Sequence, residues 1–187
     1  DTFQHVRDLR ILLYDAALAV DAQAPQAAPA AAQASVVGGQ PATLAEWGFT
    51  VGVVSPKGLC SGSVIAPTKV LTAAHCMIKP ASTYTAIQGR ADLTDDSVGR
   101  VSGISKVWIH PGYNTRNNRN DFAILTLAKP FTRVPVIALE TSAKADRKGA
   151  VPTVYGWGDT ADTGPNDTLQ KVAVPDLGDD ACLTNKE

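Results

Sequence analysis

The sequence predicts an all-β domain, a barrel or a sandwich, preceded by a helical arm on a linker. From residue 36 onward it consists of short β-rich runs, glycine and proline punctuate them, and no helical pattern alternates with them, which argues against an α/β fold. The arm comes first. Phe3, Val6, Leu9, Leu13, Ala16 and Val20 fall three or four apart, and Arg7, Asp8, Arg10 and Asp15 fill much of the other face. That spacing predicts an amphipathic helix over residues 1–20. Residues 21–35 are almost wholly Ala, Gln and Pro, with little to bury, and read as an extended linker. Candidate strands follow over 49–54, 61–66, 69–72, 83–88, 105–109, 122–127, 151–157 and 169–174. Between them lie Pro56, Gly58, Pro67, Gly89, Pro111-Gly112, Pro130, Gly158 and Gly164-Pro165. No fixed-period repeat is present.

At 187 residues the chain fits one domain with a tail. A net charge of −1, with no basic run and no interleaving of basic and aromatic residues, argues against a nucleic-acid partner. No apolar stretch reaches the ~18 residues that a membrane-spanning helix needs, so no membrane partner is expected. The N-terminal residues lack the basic and apolar regions of a signal peptide, so a leader is expected to have been removed or to precede Asp1. There are three cysteines, Cys60, Cys76 and Cys182. The favoured pairing is a Cys60–Cys76 disulfide, and it implies an oxidising compartment. Closing a loop of that size contributes about 3 kcal/mol in the chain-entropy model. Zinc is the rival reading, but a structural site needs about four ligands in paired short spacings, and no CxxC pair is present. An odd count leaves Cys182 a free thiol or one that lacks its partner.

The stretch with most chemical content is Leu71-Thr72-Ala73-Ala74-His75-Cys76, where an apolar strand runs into two alanines, a histidine and a cysteine. It sets His75 just beyond a strand end, and histidine is the side chain best suited to moving protons near neutral pH. Taken alone, a histidine beside a cysteine is more often packed than catalytic. Asp121, after Asn120 and before an apolar run, could be turn chemistry alone. His110 and His5 receive no role, and Trp157, between two glycines, is expected to pack.

Four separated segments together change that balance. Val36-Val37-Gly38-Gly39 resembles the mature N-terminus of trypsin-like (chymotrypsin-fold) serine proteases. Cys60-Ser61-Gly62-Ser63-Val64-Ile65 with Leu71-Thr72-Ala73-Ala74-His75-Cys76 resembles that family's histidine block. Asn120-Asp121-Phe122-Ala123-Ile124-Leu125 resembles the segment carrying its aspartate, and Tyr155-Gly156-Trp157-Gly158 resembles a turn of its second barrel. The resemblance implies two antiparallel six-stranded β-barrels over residues 36–187, the second incomplete. It implies His75 as general base and then acid, Asp121 as its orienting carboxylate, and Val36 as the N-terminus released from a pro-region of residues 1–35. It further implies a secreted, monomeric serine endopeptidase acting on proteins or peptides, with no metal and no cofactor. An activating protease would cut near Ser35-Val36.

Two departures from the family pattern matter. The family's Gly-Asp-Ser-Gly-Gly segment is absent, and after Asp121 the sequence holds only Ser142, without flanking glycines. Ser61 and Ser63 precede the histidine, and the resemblance makes them structural. Domains of this kind often run roughly 200–250 residues, so the serine is expected beyond Glu187. Cys182 would find its partner there too, and the chain alone is expected to be inactive. The second departure is Ser35, where a trypsin-like activator would require Arg or Lys. A rival reading is a non-catalytic homologue of this family that binds or regulates. A plainer one is a secreted β-domain whose helical arm mediates interaction.

Overall fold

The computed structural model describes residues 39–56, 58–141, 148–157 and 168–177. The helix expected over 1–20, the linker over 21–35, and His5, Val36, Ser142 and Cys182 lie outside the described residues. Within them the elements run β1 (Gln40–Pro41), α1 (Leu44–Trp47), β2 (Thr50–Ser55), β3 (Gly58–Ala66), β4 (Lys69–Thr72), a 3₁₀ turn (Ala81–Thr83), β5 (Thr85–Gln88), β6 (Arg100–Ile109), β7 (Ala123–Leu127), β8 (Thr153–Gly156) and β9 (Gln170–Ala173).

Six strands close into a barrel in the order β2-β3-β4-β7-β6-β5, with β5 returning to pair with β2. Every pairing is antiparallel. Closure removes the unpaired edges that an open sheet would expose. Alternate residues of each strand point inward, so Val51 and Val53 of β2, Val64, Val70, Ala86, Ile104, and Leu125 and Leu127 of β7 meet in one buried cluster. Ala74, Met77, Tyr84 and Phe131 complete it from the connecting segments. Gly62 lets β3 and β4 close: a Cβ there would stand 2.8 Å from the Leu71 carbonyl oxygen and from Val70 Cγ1.

β6 begins at Arg100, five residues before the strand expected at 105–109. Its first half hides an uninformative alternation, because Ser102 points inward while Val101 is exposed and Gly103 carries no side chain. That half pairs with β5 and the second half with β7, with an irregularity between Ile104 and Lys106 at the change of partner. The strand expected from Thr83 starts at Thr85, since Thr83 closes the 3₁₀ turn by donating its N–H to the Pro80 carbonyl.

β1, β9 and β8 form a separate three-stranded sheet. Pro41 sits in an edge strand, where its missing N–H costs no ladder bond. Trp47, Trp157 and Leu169 are buried together, the two indoles edge to face at 6.4 Å. Trp157 Nε1 donates to the Ala91 carbonyl oxygen at 2.9 Å, which ties this cluster to the segment after β5. Trp157 therefore packs, as expected. Among the described residues, no helix is long and apolar enough to cross a membrane.

Candidate active site

The barrel brings together two residues that lie 46 positions apart in sequence. β4 and β7 are antiparallel neighbours, with Thr72 opposite Ala123. The end of one strand thus adjoins the start of the other; His75 follows the first by three residues and Asp121 precedes the second by two. One carboxylate then makes two contacts. The His75 N–H donates to Asp121 Oδ1 at 2.8 Å, and His75 Nδ1 lies 2.6 Å from Oδ2. An ionised carboxylate can only accept, so Nδ1 carries the proton and the ring's lone pair is at Nε2. The side chains are 35% and 18% exposed, so the carboxylate is the more enclosed and the imidazole faces outward.

The backbone around His75 is held on both sides. Cys60, on β3, and Cys76 form the expected disulfide, with their Cα atoms 6.4 Å apart. Beyond it, the hydroxyl of buried Tyr84 accepts the Lys79 N–H at 2.8 Å and donates to the Cys76 carbonyl at 2.9 Å. The phenol thus stands where a four-residue turn would place its own closing hydrogen bond. Upstream, Thr72 Oγ1 donates to the Ser61 carbonyl at 2.8 Å. Ser61 and Ser63 lie within β3, opposite Gly52 and Thr50 of β2.

Asparagines shape the approach to Asp121. Asn118 and Asn120 adopt φ of 50° and 56°, a left-handed conformation that asparagine tolerates better than most residues. Asn120 Nδ2 donates to the Gly112 carbonyl at 2.9 Å. The turn chemistry at Asn120 and the histidine contact of Asp121 are therefore two parts of one arrangement. His110 belongs to its support: Nδ1 accepts the Gly112 N–H, and the ring packs on Phe122 at 4.7 Å. Burial pushes the Tyr113 phenol up, and the nearby Asp121 carboxylate adds to that shift.

Tyr84 and Tyr113 were not legible as site residues. An aromatic at a strand entrance reads as core, and nothing in local sequence shows a hydroxyl reaching back eight positions to Cys76. Of the residues expected at the site, His75, Asp121, Cys60 and Cys76 are brought together, while Val36, Ser142 and Cys182 lie outside the described residues.

The closed antiparallel barrel thus presents an imidazole–carboxylate pair at adjoining strand ends, an arrangement able to accept and return a proton. The comparisons with known proteins identify the family. The family model described as Trypsin matches residues 36–187. The chain is 38% identical over 156 residues to a trypsin of Saccharopolyspora erythraea, covering 79% of this chain and 66% of that protein. It is 38% identical over 170 residues to a trypsin-like protease of Streptomyces glaucescens, covering 89% of this chain and 60% of that protein. A phenoloxidase-activating factor 3 of Holotrichia diomphalia is 35% identical over 144 residues, covering 67% of this chain and 41% of that protein. The chain belongs to the trypsin family of serine proteases. It spans just under two thirds of the length of the two bacterial relatives.

Proposed function

We propose that the protein is a secreted serine endopeptidase, made as a zymogen, in which His75 and Asp121 are two members of a Ser-His-Asp triad. The observation that carries this reading is the double contact of Asp121 with His75, at ring and backbone, in a chain of the trypsin family. His75 Nε2 takes the proton of a serine hydroxyl as that oxygen attacks the peptide carbonyl. The imidazolium then protonates the leaving amine, and a water molecule deprotonated by the same nitrogen releases the acyl group. Asp121 keeps the proton on Nδ1 throughout and stabilises the transient positive charge.

The serine is proposed to lie in the part of the relatives' length that this chain does not span, since residues 36–187 contain no Gly-Asp-Ser-Gly-Gly. The β1-β9-β8 sheet is read as part of a second barrel. Residues 1–35 are read as a pro-region whose removal frees the Val36 amine, by a protease that accepts Ser35. Substrates are proteins or peptides, and the enzyme acts as a monomer. Names such as "Venom protease", carried by a relative from Bombus pensylvanicus, support an extracellular setting.

A fluorophosphonate probe, which labels only an activated serine, tests this on the full-length gene product. Labelling is expected solely in material whose N-terminus reads Val36-Val37-Gly38-Gly39. No labelling of such material would favour the non-catalytic homologue. Equal labelling with Asp1 still attached would remove the zymogen from the account.

A further inference from the structure

We propose that reduction of the Cys60–Cys76 disulfide turns this corner of the barrel into a zinc site. Its ligands are the two thiolates and His75 Nε2. Cys60, His75 and Cys76 each offer one donor atom, and the three atoms lie within 4.8 Å of one another. While the sulfurs are bonded to each other they cannot ligate, so the disulfide and the metal are alternative occupants of the same place.

The geometry is close to that of the metal-bound form. Zn–S distances of about 2.3 Å and Zn–N distances of about 2.0–2.1 Å, at tetrahedral angles, place a sulfur about 3.5 Å from a nitrogen and two sulfurs about 3.8 Å apart. Cys76 Sγ already lies 3.5 Å from His75 Nε2. The change required is in the sulfur–sulfur separation, from a covalent bond to about 3.8 Å. Side-chain rotation can supply that with the Cα atoms still near 6.4 Å apart. Both cysteines and the histidine are partly exposed.

The surroundings fit as well. Metal-bound histidines usually pass their other ring N–H to a carboxylate, which fixes the tautomer and raises basicity. Asp121 Oδ2 stands in that position on Nδ1. The scaffold does not depend on the disulfide alone. Cys60 is laddered into β3, Asp121 holds the His75 N–H, and Tyr84 holds the Cys76 carbonyl. Three protein ligands leave a fourth position for water.

The chemistry balances with an external dithiol as reductant. Its thiolate attacks one sulfur, the mixed disulfide is resolved by its second thiol, and the reductant leaves as a cyclic disulfide. Two electrons and two protons pass to Cys60 and Cys76. Zinc then displaces those two protons to solvent and itself undergoes no redox change. If His75 is the general base proposed above, a metal on Nε2 removes the lone pair that accepts the serine proton. Metal binding itself does not depend on that reading.

The test uses the 187-residue chain, oxidised or reduced with a phosphine, titrated with cobalt(II) and then zinc. The reduced chain is expected to bind one cobalt per molecule with a thiolate charge-transfer band, which zinc abolishes, while its β-type circular dichroism persists. The oxidised chain should give no such band. Asp121→Asn is expected to weaken metal affinity about 10- to 100-fold, and Cys182→Ser to leave stoichiometry and spectrum unchanged. Four results would overturn the proposal: equal binding by the oxidised chain, loss of the band in Cys182→Ser, undiminished affinity in His75→Gln, or collapse of the barrel on reduction with zinc present.

Discussion

The residues that define the site act through short, directed bonds. Asp121 orients the ring of His75 with one oxygen and anchors its backbone with the other, so the imidazole is fixed in both tautomer and position. Tyr84 makes the same kind of contribution one step further out. Tyr84→Phe keeps the buried ring and removes the bridge between Lys79 and Cys76. Because Lys79 is exposed and water can reach it, the loss should sit near the ordinary worth of such bonds, about 0.5–1.5 kcal/mol. Urea unfolding of the two proteins measures it, and superimposable curves would show that the phenol holds nothing. Thr-Ala-Ala-His-Cys was legible as chemistry because its residue types and order are distinctive. The tyrosine was not, because its role depends on where a hydroxyl ends in space.

At the scale of elements, the site exists because two strand ends adjoin. The register of β4 against β7 sets where His75 and Asp121 fall, and Gly62 allows β3 to lie close enough to carry Cys60 to Cys76. Strands with dense apolar runs, such as β2 and β7, could be read from sequence. The first half of β6 could not, because its inward Ser102 and outward Val101 invert the usual signal. β1 and α1 are too short to show a period. They are held by other means: Glu46 accepts the N–H and hydroxyl of Thr43 and pairs with Lys171 of β9. The Lys171 partner first, then the Thr43 hydroxyl and N–H, lower the Glu46 carboxyl from 4.5 to about 2. A carboxyl depressed on folding contributes stability above its unfolded pKa and loses it as pH falls towards the folded value. The wild-type protein should therefore lose more stability between pH 4.5 and about 2 than Glu46→Gln does. Thermal melts across that range decide the matter, and parallel pH profiles would contradict the assignment.

For the molecule as a whole, the closed barrel gives the proposed chemistry its rigidity. Both expected members of the triad come from this one barrel, on segments that its strand pairing fixes relative to each other. The all-β class was legible because eight β-rich runs with breakers between them leave little alternative. Closure was not, because it depends on β5 finding β2 across two intervening strands and their loops. The measurement that bears most directly on the account is peptide-bond turnover by the full-length protein with Asp121→Asn. A loss of about 10⁴ in kcat is expected, the cost of presenting the wrong tautomer in such triads. Near-normal turnover in that variant would contradict the central claim that Asp121 makes His75 a base.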